Sequence, residues 1–347
     1  MKIGKRNINK NSPAFIIAEL SGNHNGSIEV AIESIKAAKK AGADCVKFQT
    51  YTADTITLNH KSDHFKITQG TIWDGNYLYD LYKEAYTPWE WHEQLFKVCV
   101  DEGLESFSSP FDFTAVDFLE SLNVPAYKIA SFEITDIPLI EYTASKMKPI
   151  ILSTGIANLE DIQLAVDACR NVGNDEIALL KCTSSYPAPL DEANMVMIKD
   201  LSEKFNVISG LSDHTMGSIA PITSIALGGK IIEKHFILDK SIGGPDASFS
   251  MDQQEFKDMV DSVRAAESSL GTIDYTLTEK QLKSREHSRS LFAVENIEAG
   301  EKITHKNVRS IRPWHGLHPK YLDKIIGLKI KKKISKGMPL DLSYIDI

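Results

Sequence analysis

Apolar and polar positions along the chain alternate between two periods. Short, β-rich apolar runs recur at Ala14–Leu20, Cys45–Gln49, Leu104–Ser108, Ala126–Ser131, Pro149–Leu152, Ile177–Leu180, Val207–Leu211 and Lys230–Ile232. Bounded by Gly, Ser and Pro, such runs predict buried strands. Helical patterns separate them over Ile28–Ala41, Trp89–Glu102, Thr114–Leu122 and Ile219–Leu227, and a last one spans Gln254–Leu270. Ser27 is placed to cap the first helix and Gly42 to stop it. Roughly eight strand–helix repeats in about 270 residues predict a (β/α)8 TIM barrel, with an open doubly wound sheet as the alternative. The segment Thr50–Pro88 is too long for a plain connection. It predicts a lid or wall over a pocket, or else a surface excursion.

Past residue 270 the rhythm stops. Residues 271–285 are polar and charged and read as a linker between a barrel domain at 1–270 and a small domain at 286–347. The small domain carries an internal repeat. Ile297-Glu298-Ala299-Gly300-Glu301-Lys302-Ile303, ending at Val308, matches Ile334-Ser335-Lys336-Gly337-Met338-Pro339-Leu340, ending at Ile345, 37 residues on. Two such units predict a mostly β fold with pseudo-twofold order. The run Lys329–Lys333 reads as a solvated edge.

In a barrel, chemistry collects where the strands end. Those ends carry Glu19, Lys47 with Gln49, Ser108-Ser109, Lys128 with Ser131, Ser153-Thr154, Lys181 with Thr183, Ser212 with His214, and Glu233 with His235. The hydroxyls could be ordinary helix caps. A lysine centred in an apolar strand, such as Lys47, must snorkel out or meet an anion. Two such lysines with a ring of hydroxyls suit a phosphate and a carboxylate. His214 and His235 fall at the same end of consecutive strands. With Asp213, Glu233 and Asp246 near, they suit a divalent metal.

Composition narrows the function classes. With 42% hydrophobic and 25% charged residues, the chain is ordinary and globular. A net charge of −8 argues against nonspecific nucleic-acid binding. Cys45, Cys99, Cys169 and Cys182 show no metal or redox spacing and read as buried thiols. The polar start Met1–Ser12 lacks a signal-peptide core, and no apolar run reaches the length of a membrane span. A soluble cytoplasmic protein is expected.

The ordered motifs resemble the sialic acid synthase family of nonulosonic acid synthases over nearly the whole chain. They are Ile17-Ala18-Glu19 with Gly22–Ser27, Lys47-Phe48-Gln49-Thr50, Lys128–Ser131, Ser153-Thr154-Gly155, Cys182–Pro187, Gly210–His214 and Glu233–His235. The C-terminal repeat is similar to that family's antifreeze-like (SAF, β-clip) domain. Within the family, Tyr51–Asp54, Ile72–Asp74, and Arg312-Pro313 with Gly316–Pro319 resemble the pseudaminic acid synthases. The legionaminic and N-acetylneuraminic synthases are the alternatives.

The resemblance implies a condensation of phosphoenolpyruvate with an open-chain acetamido sugar and loss of phosphate by carbon–oxygen cleavage. In the pseudaminic branch the sugar is 2,4-diacetamido-2,4,6-trideoxy-L-altrose, and the product serves surface glycans or flagellin. It further implies that His214 and His235 hold the metal, manganese first, with magnesium or cobalt as alternatives. Glu19 and Asp246 would lie at the reacting centre. Phosphoenolpyruvate would be bound by Lys47, Lys128, Ser131, Ser153, Ser184, Tyr186 and Ser212, with Ser109 also lining the pocket. The family usually has Asn where Ser184 stands. Gln49 and Glu133 would orient the sugar, and Arg312 would reach its acetamido group from the partner subunit of a domain-swapped homodimer. Two other readings stay open: a metal-dependent pyruvate aldolase, and a noncatalytic sugar-binding protein that uses the C-terminal domain.

Overall fold

Eight parallel strands close on themselves in the computed structural model, which describes residues 1–346. They are β1 (Phe15–Glu19), β2 (Cys45–Thr50), β3 (Glu105–Pro110), β4 (Tyr127–Ile129), β5 (Ile150–Ser153), β6 (Ile177–Cys182), β7 (Ile208–Asp213) and β8 (Ile231–His235). Each pairs with the next, and β8 pairs with β1 in the register Ile231↔Phe15 to His235↔Glu19. The TIM barrel expected from the repeats is therefore present. Its helices are α1 (Ile28–Lys40), α2 (His92–Asp101), α3 (Phe113–Ser121), α4 (Ile137–Ala144), α5 (Leu159–Asn171), α6 (Met197–Phe205), α7 (Ile219–Ala226) and α8 (Gln253–Leu270).

Strand alternation sorts the side chains into two layers. On β2, Val46 and Phe48 face the helix layer with Ile35, Leu95 and Phe256. Cys45 faces the barrel interior with Phe15, Ile17, Phe107, Ile151, Leu180 and Ile231. A hairpin that the polar N-terminus did not announce, Lys2–Ile3 with Arg6–Asn7, adds Ile3 and Ile8 to this inner cluster.

Two boundaries differ from the apolar pattern for one reason. Strands β7 and β8 continue through Ser212-Asp213 and Glu233–His235 instead of stopping at Leu211 and Ile232. These polar groups find partners on both faces of the barrel wall, Ser212 with Glu233 toward the mouth and Asp213 with Lys234 away from it, so the ladder is not interrupted. The helix read as Trp89–Glu102 starts as a 3-10 turn at Trp89–Trp91 behind Pro88, and α2 follows.

The segment after β2 is structured. It holds a helical turn at Ala53–Ile56, a bridge between Lys66 and Tyr77, and a helix at Leu78–Ala85. Two fully buried histidines brace its far end. His24 accepts from the Gly26 amide (3.2 Å), which leaves its Nε2–H for the Thr87 hydroxyl (3.2 Å). His92 donates Nδ1–H to the Pro88 carbonyl (3.2 Å) and accepts from Thr50 (2.8 Å). Both rings are neutral, and burial lowers each from 6.5 to about 4. The unfolded chain therefore binds more protons between these values, and stability falls as pH drops from 6.5 toward 4. Each ring accounts for about 3 kcal/mol of that loss. Urea melts across this window should show it, and His92→Gln should flatten the dependence.

A second compact unit spans Thr272–Ile347. The latter part of the stretch read as a linker is a helix, Glu279–Arg285, capped by Thr278 and Gln281. The repeat beyond it is genuinely twofold. Ile297 and Ile334, the first residues of the two copies, exchange reciprocal backbone hydrogen bonds of 2.9 Å. Gly300 and Gly337 both adopt φ near +85° (84° and 87°), which a side chain would strain. Ile303 and Leu340, then Val308 and Ile345, fill one small core.

Candidate active site

The C-terminal mouth of the barrel holds a buried network of opposite charges. Lys47 on β2 lies 3.1 Å from Glu19 on β1 and 3.2 Å from Glu233 on β8. Its ammonium also donates to Ser109 on β3 (3.3 Å). Lys128 on β4 donates to Ser153 on β5 (2.6 Å) and lies 3.7 Å from Glu233. Gln49 donates to Glu19 (2.9 Å), and Ser212 to Glu233 (3.4 Å). Lys47 therefore meets anions rather than snorkelling out. The strand-end hydroxyls are not the helix caps, which are other residues: Ser27, Asp112, Asp136, Asn158 and Asp252.

Burial sets the protonation states. It pushes the Glu19 carboxyl up to about 7, with the Glu233 charge adding to the shift and Lys47 opposing it. Burial acts on Glu233 too, but Lys128 and Lys47 together hold it below the usual carboxylate range. Of two neighbouring carboxyls, one thus stays charged and the other titrates near neutrality. Glu133, at the end of a 3-10 turn after β4, is pushed by burial to about 7, and its Oε2 has no hydrogen-bond partner.

Beside Lys128, a small cradle is lined by hydroxyls and an amide. The Gly155 amide donates to Ser131 (3.1 Å). A Cβ on Gly155 would fall 2.1 Å from the Ser184 Oγ and 2.7 Å from the Ser131 Oγ. Only glycine leaves this space open.

On the other side stand the two imidazoles, ring centroids 5.3 Å apart. His214 donates Nδ1–H to the Thr183 carbonyl (2.9 Å), which leaves Nε2 with its lone pair. His235 has a buried Nδ1 without a hydrogen-bond partner, 3.8 Å from the Asp246 Oδ2. Asp246 in turn accepts from the Ser21 hydroxyl. Among the described residues, no three His, Cys, Asp or Glu side chains form a closed metal cage. Two imidazoles with free lone pairs do fit an ion that keeps water or substrate oxygens in its shell. Tyr186 packs against His214 (4.3 Å between centroids), and Phe249 against His235 (4.9 Å). Trp73, from the long segment after β2, packs on Tyr186 and donates to the Pro245 carbonyl (3.0 Å). That segment is thus a wall of the mouth.

Two positions depart from the sequence reading. Asp213, expected near the histidines, points out of the barrel and pairs with Lys234. Lys181 also turns away, donating to the Cys182 carbonyl (2.6 Å) and Thr183 (3.2 Å). Arg312 lies in the second unit, as the sequence places it, just after the strand Val308–Ile311, exposed and without an ion-pair partner among the described residues. Glu233, read from the sequence only as a carboxylate near the two histidines, is the central anion between Lys47 and Lys128. Its alternation with His235 on one strand was the available signal. Cys182, read only as a buried thiol, lies 3.8 Å from His214 Nδ1 in the same mouth.

Comparison with known proteins places this architecture. The NeuB family model matches residues 34–275, and the SAF domain model matches residues 288–344. The chain belongs to the NeuB family. It is 49% identical over 337 residues to a pseudaminic acid synthase of Campylobacter jejuni, covering 97% of each chain. It is 36% identical to an N,N'-diacetyllegionaminic acid synthase of Legionella pneumophila, covering 96% of this chain and 94% of the other. Among solved structures it is similar to a spore coat polysaccharide biosynthesis protein of Bacillus subtilis. That match has a TM-score of 0.68 and 31% identity, and covers 100% of this chain and 99% of the other. The family resemblance carried by the sequence motifs, including the C-terminal SAF domain, therefore holds. No helix among the described residues is long and apolar enough to cross a membrane.

Proposed function

We propose that this NeuB-family chain is a pseudaminic acid synthase. It joins phosphoenolpyruvate to 2,4-diacetamido-2,4,6-trideoxy-L-altrose, with uptake of water and release of phosphate. The observation that carries the reading is the pair of fully buried lysines, Lys47 and Lys128, converging on Glu233 beside a hydroxyl-lined cradle. A pyruvate aldolase has no phosphate to hold and no use for such a cradle. The higher identity to the pseudaminic than to the legionaminic relative favours the altrose sugar.

Lys47 and Lys128 bind the phosphoenolpyruvate anion. Ser131, Ser153, Ser184, Ser212 and the Gly155 amide accommodate its oxygens, and Ser109 supports Lys47. Tyr186 closes the pocket between this cradle and the imidazoles. Gln49 and Glu133 face the sugar. The enol C3 attacks the aldehyde carbon, and the aldehyde oxygen becomes a hydroxyl. Water adds at C2, and phosphate leaves from that carbon to give the 2-keto acid. Glu19, titrating near 7, can hold the proton that the new hydroxyl takes and so serves as general acid. Asp246 lies beside His235, where the aldehyde is held. His214 and His235 would hold the divalent metal, manganese in our reading, which supplies Lewis-acid polarisation of the aldehyde.

The assembly is read as a homodimer in which Arg312 of one chain serves the pocket of the other. The exposed Ile273 and Tyr275, in an unpaired stretch, support burial against a partner. A cytoplasmic enzyme supplying a sugar for surface glycans or flagellin is consistent with the substrates.

The deciding experiment is phosphate release from phosphoenolpyruvate by chelator-treated protein with manganese restored. The altrose sugar, the corresponding diacetamido-trideoxy mannose and N-acetylmannosamine are offered in parallel. Release with the altrose sugar alone is expected. Release with another sugar alone would keep the chemistry and overturn the substrate. Two variants refine the roles. Gly155→Ala should raise the phosphoenolpyruvate KM about tenfold, the equivalent of one 1.4 kcal/mol contact, and adding Ser184→Ala should recover part of the loss. Arg312→Ala should raise the sugar KM and leave that for phosphoenolpyruvate unchanged.

A further inference from the structure

Alternation along β7 and β8 sends Ser212, His214, Glu233 and His235 toward the barrel mouth, and Asp213 and Lys234 to the opposite face. Lys234 and Asp213 are register partners on neighbouring strands. Both side chains are 1% exposed, and the ammonium lies 2.6 Å from the Asp213 Oδ2. The same ammonium donates to the Thr215 carbonyl. The second oxygen of Asp213 accepts from the Thr215 amide (2.9 Å). Residues 213 to 215 are thus closed into a ring around one buried cation, and His214 is the residue in the middle. From the other side, the His214 carbonyl accepts from the Ala188 amide (2.9 Å) and its ring is tied to Thr183 (2.9 Å).

We propose that Lys234 is a positioning residue. Its ammonium clamps the strand end that carries His214, and so fixes the spacing of the His214 and His235 imidazoles. The proposal rests on reading those two imidazoles as the metal ligands. Stability alone is a weak reason for such a pair, because buried ion pairs are often matched or bettered by apolar side chains of similar volume. Apolar neighbours on this layer are plentiful: Ile232, two residues before Lys234, packs in the core between barrel and helices. A two-point bond from one strand to the turn of its neighbour does what an apolar contact cannot. It sets both distance and direction.

The test is the double variant Lys234→Met with Asp213→Asn. It removes both charges together and keeps an acceptor for the Thr215 amide. Manganese affinity is measured by the electron paramagnetic resonance of free Mn(II), without turnover. Phosphoenolpyruvate binding is measured without metal, and melting temperature in parallel. The manganese Kd should weaken about 10- to 100-fold, as for other residues that orient metal-bound imidazoles. Metal-free phosphoenolpyruvate affinity should stay within about twofold, because Lys47 and Lys128 are untouched. A manganese Kd equal to wild type overturns the proposal even if the melting temperature falls. Should the double variant not fold, Asp213→Asn alone decides by the same readout, since it weakens the clamp with Lys234 in place. Failure of the wild-type protein to bind Mn(II) would instead overturn the metal reading, and this proposal with it.

Discussion

Lys47→Met is expected to abolish phosphate release and to destabilise the barrel, more severely above pH 7 than below it. Lys47 is the counter-charge for two fully buried carboxyls at 3.1 and 3.2 Å. Removing one partner from such a cluster typically costs about 3–5 kcal/mol, because the remaining charge has no solvent. Glu233 keeps Lys128, so the burden falls on Glu19. The sign of the pH dependence follows from Glu19. Its folded value of about 7 exceeds the ordinary 4.5, so the folded state holds a proton through that window and stability declines as pH rises across it. Without Lys47 the one strong opposing influence is gone, and the value climbs further. The decline then continues beyond neutrality. Urea denaturation on both sides of pH 7 reads this directly. Adding Glu19→Gln should restore stability, and activity should stay absent because, on the proposed function, the phosphoenolpyruvate anion has lost a ligand. A variant equally stable on both sides of neutrality would mean that Glu19 is ionised in the folded protein whatever Lys47 does.

His235→Ala is expected to lower kcat about a thousandfold or more, with phosphoenolpyruvate binding retained. On the proposed function the metal has two imidazole ligands, His214 and His235, so losing one leaves a single ligand. Lewis-acid stabilisation of the transition state is worth several kcal/mol, and each 1.36 kcal/mol is a factor of ten. Folding should be little affected. The His235 Nδ1 has no hydrogen bond to lose, and burial already holds the ring neutral, well below the usual histidine range. Isothermal titration with Mn(II) and with phosphoenolpyruvate separates the two effects. If the chelator-treated variant turned over as wild type does, the imidazoles would have no metal to serve.

Much of this protein is legible in the sequence because it rests on local rules. Strand runs of fixed length, helices between them, and caps such as Ser27 determine a (β/α)8 order without knowledge of distant contacts. The 37-residue repeat likewise announces its twofold, since equivalent positions must bury equivalent groups: Ile297 with Ile334, and Val308 with Ile345. Strand alternation by itself puts Ser212 on one face with His214, and Glu233 on one face with His235.

What the sequence does not decide is which charge meets which. Asp213, Glu233 and Asp246 all stand near the two histidines along the chain. Alternation puts Glu233 and Asp213 on opposite faces, and only closure of the barrel brings Glu233 to Lys47 and Lys128, from strands β2 and β4, and Asp213 to Lys234. The protonation of Glu19 is of the same kind. It depends on burial and on charges brought from three other strands, and neither is a property of its neighbours in sequence. Electrostatic energies depend on distance and dielectric through space, and both are set when the eight strands close.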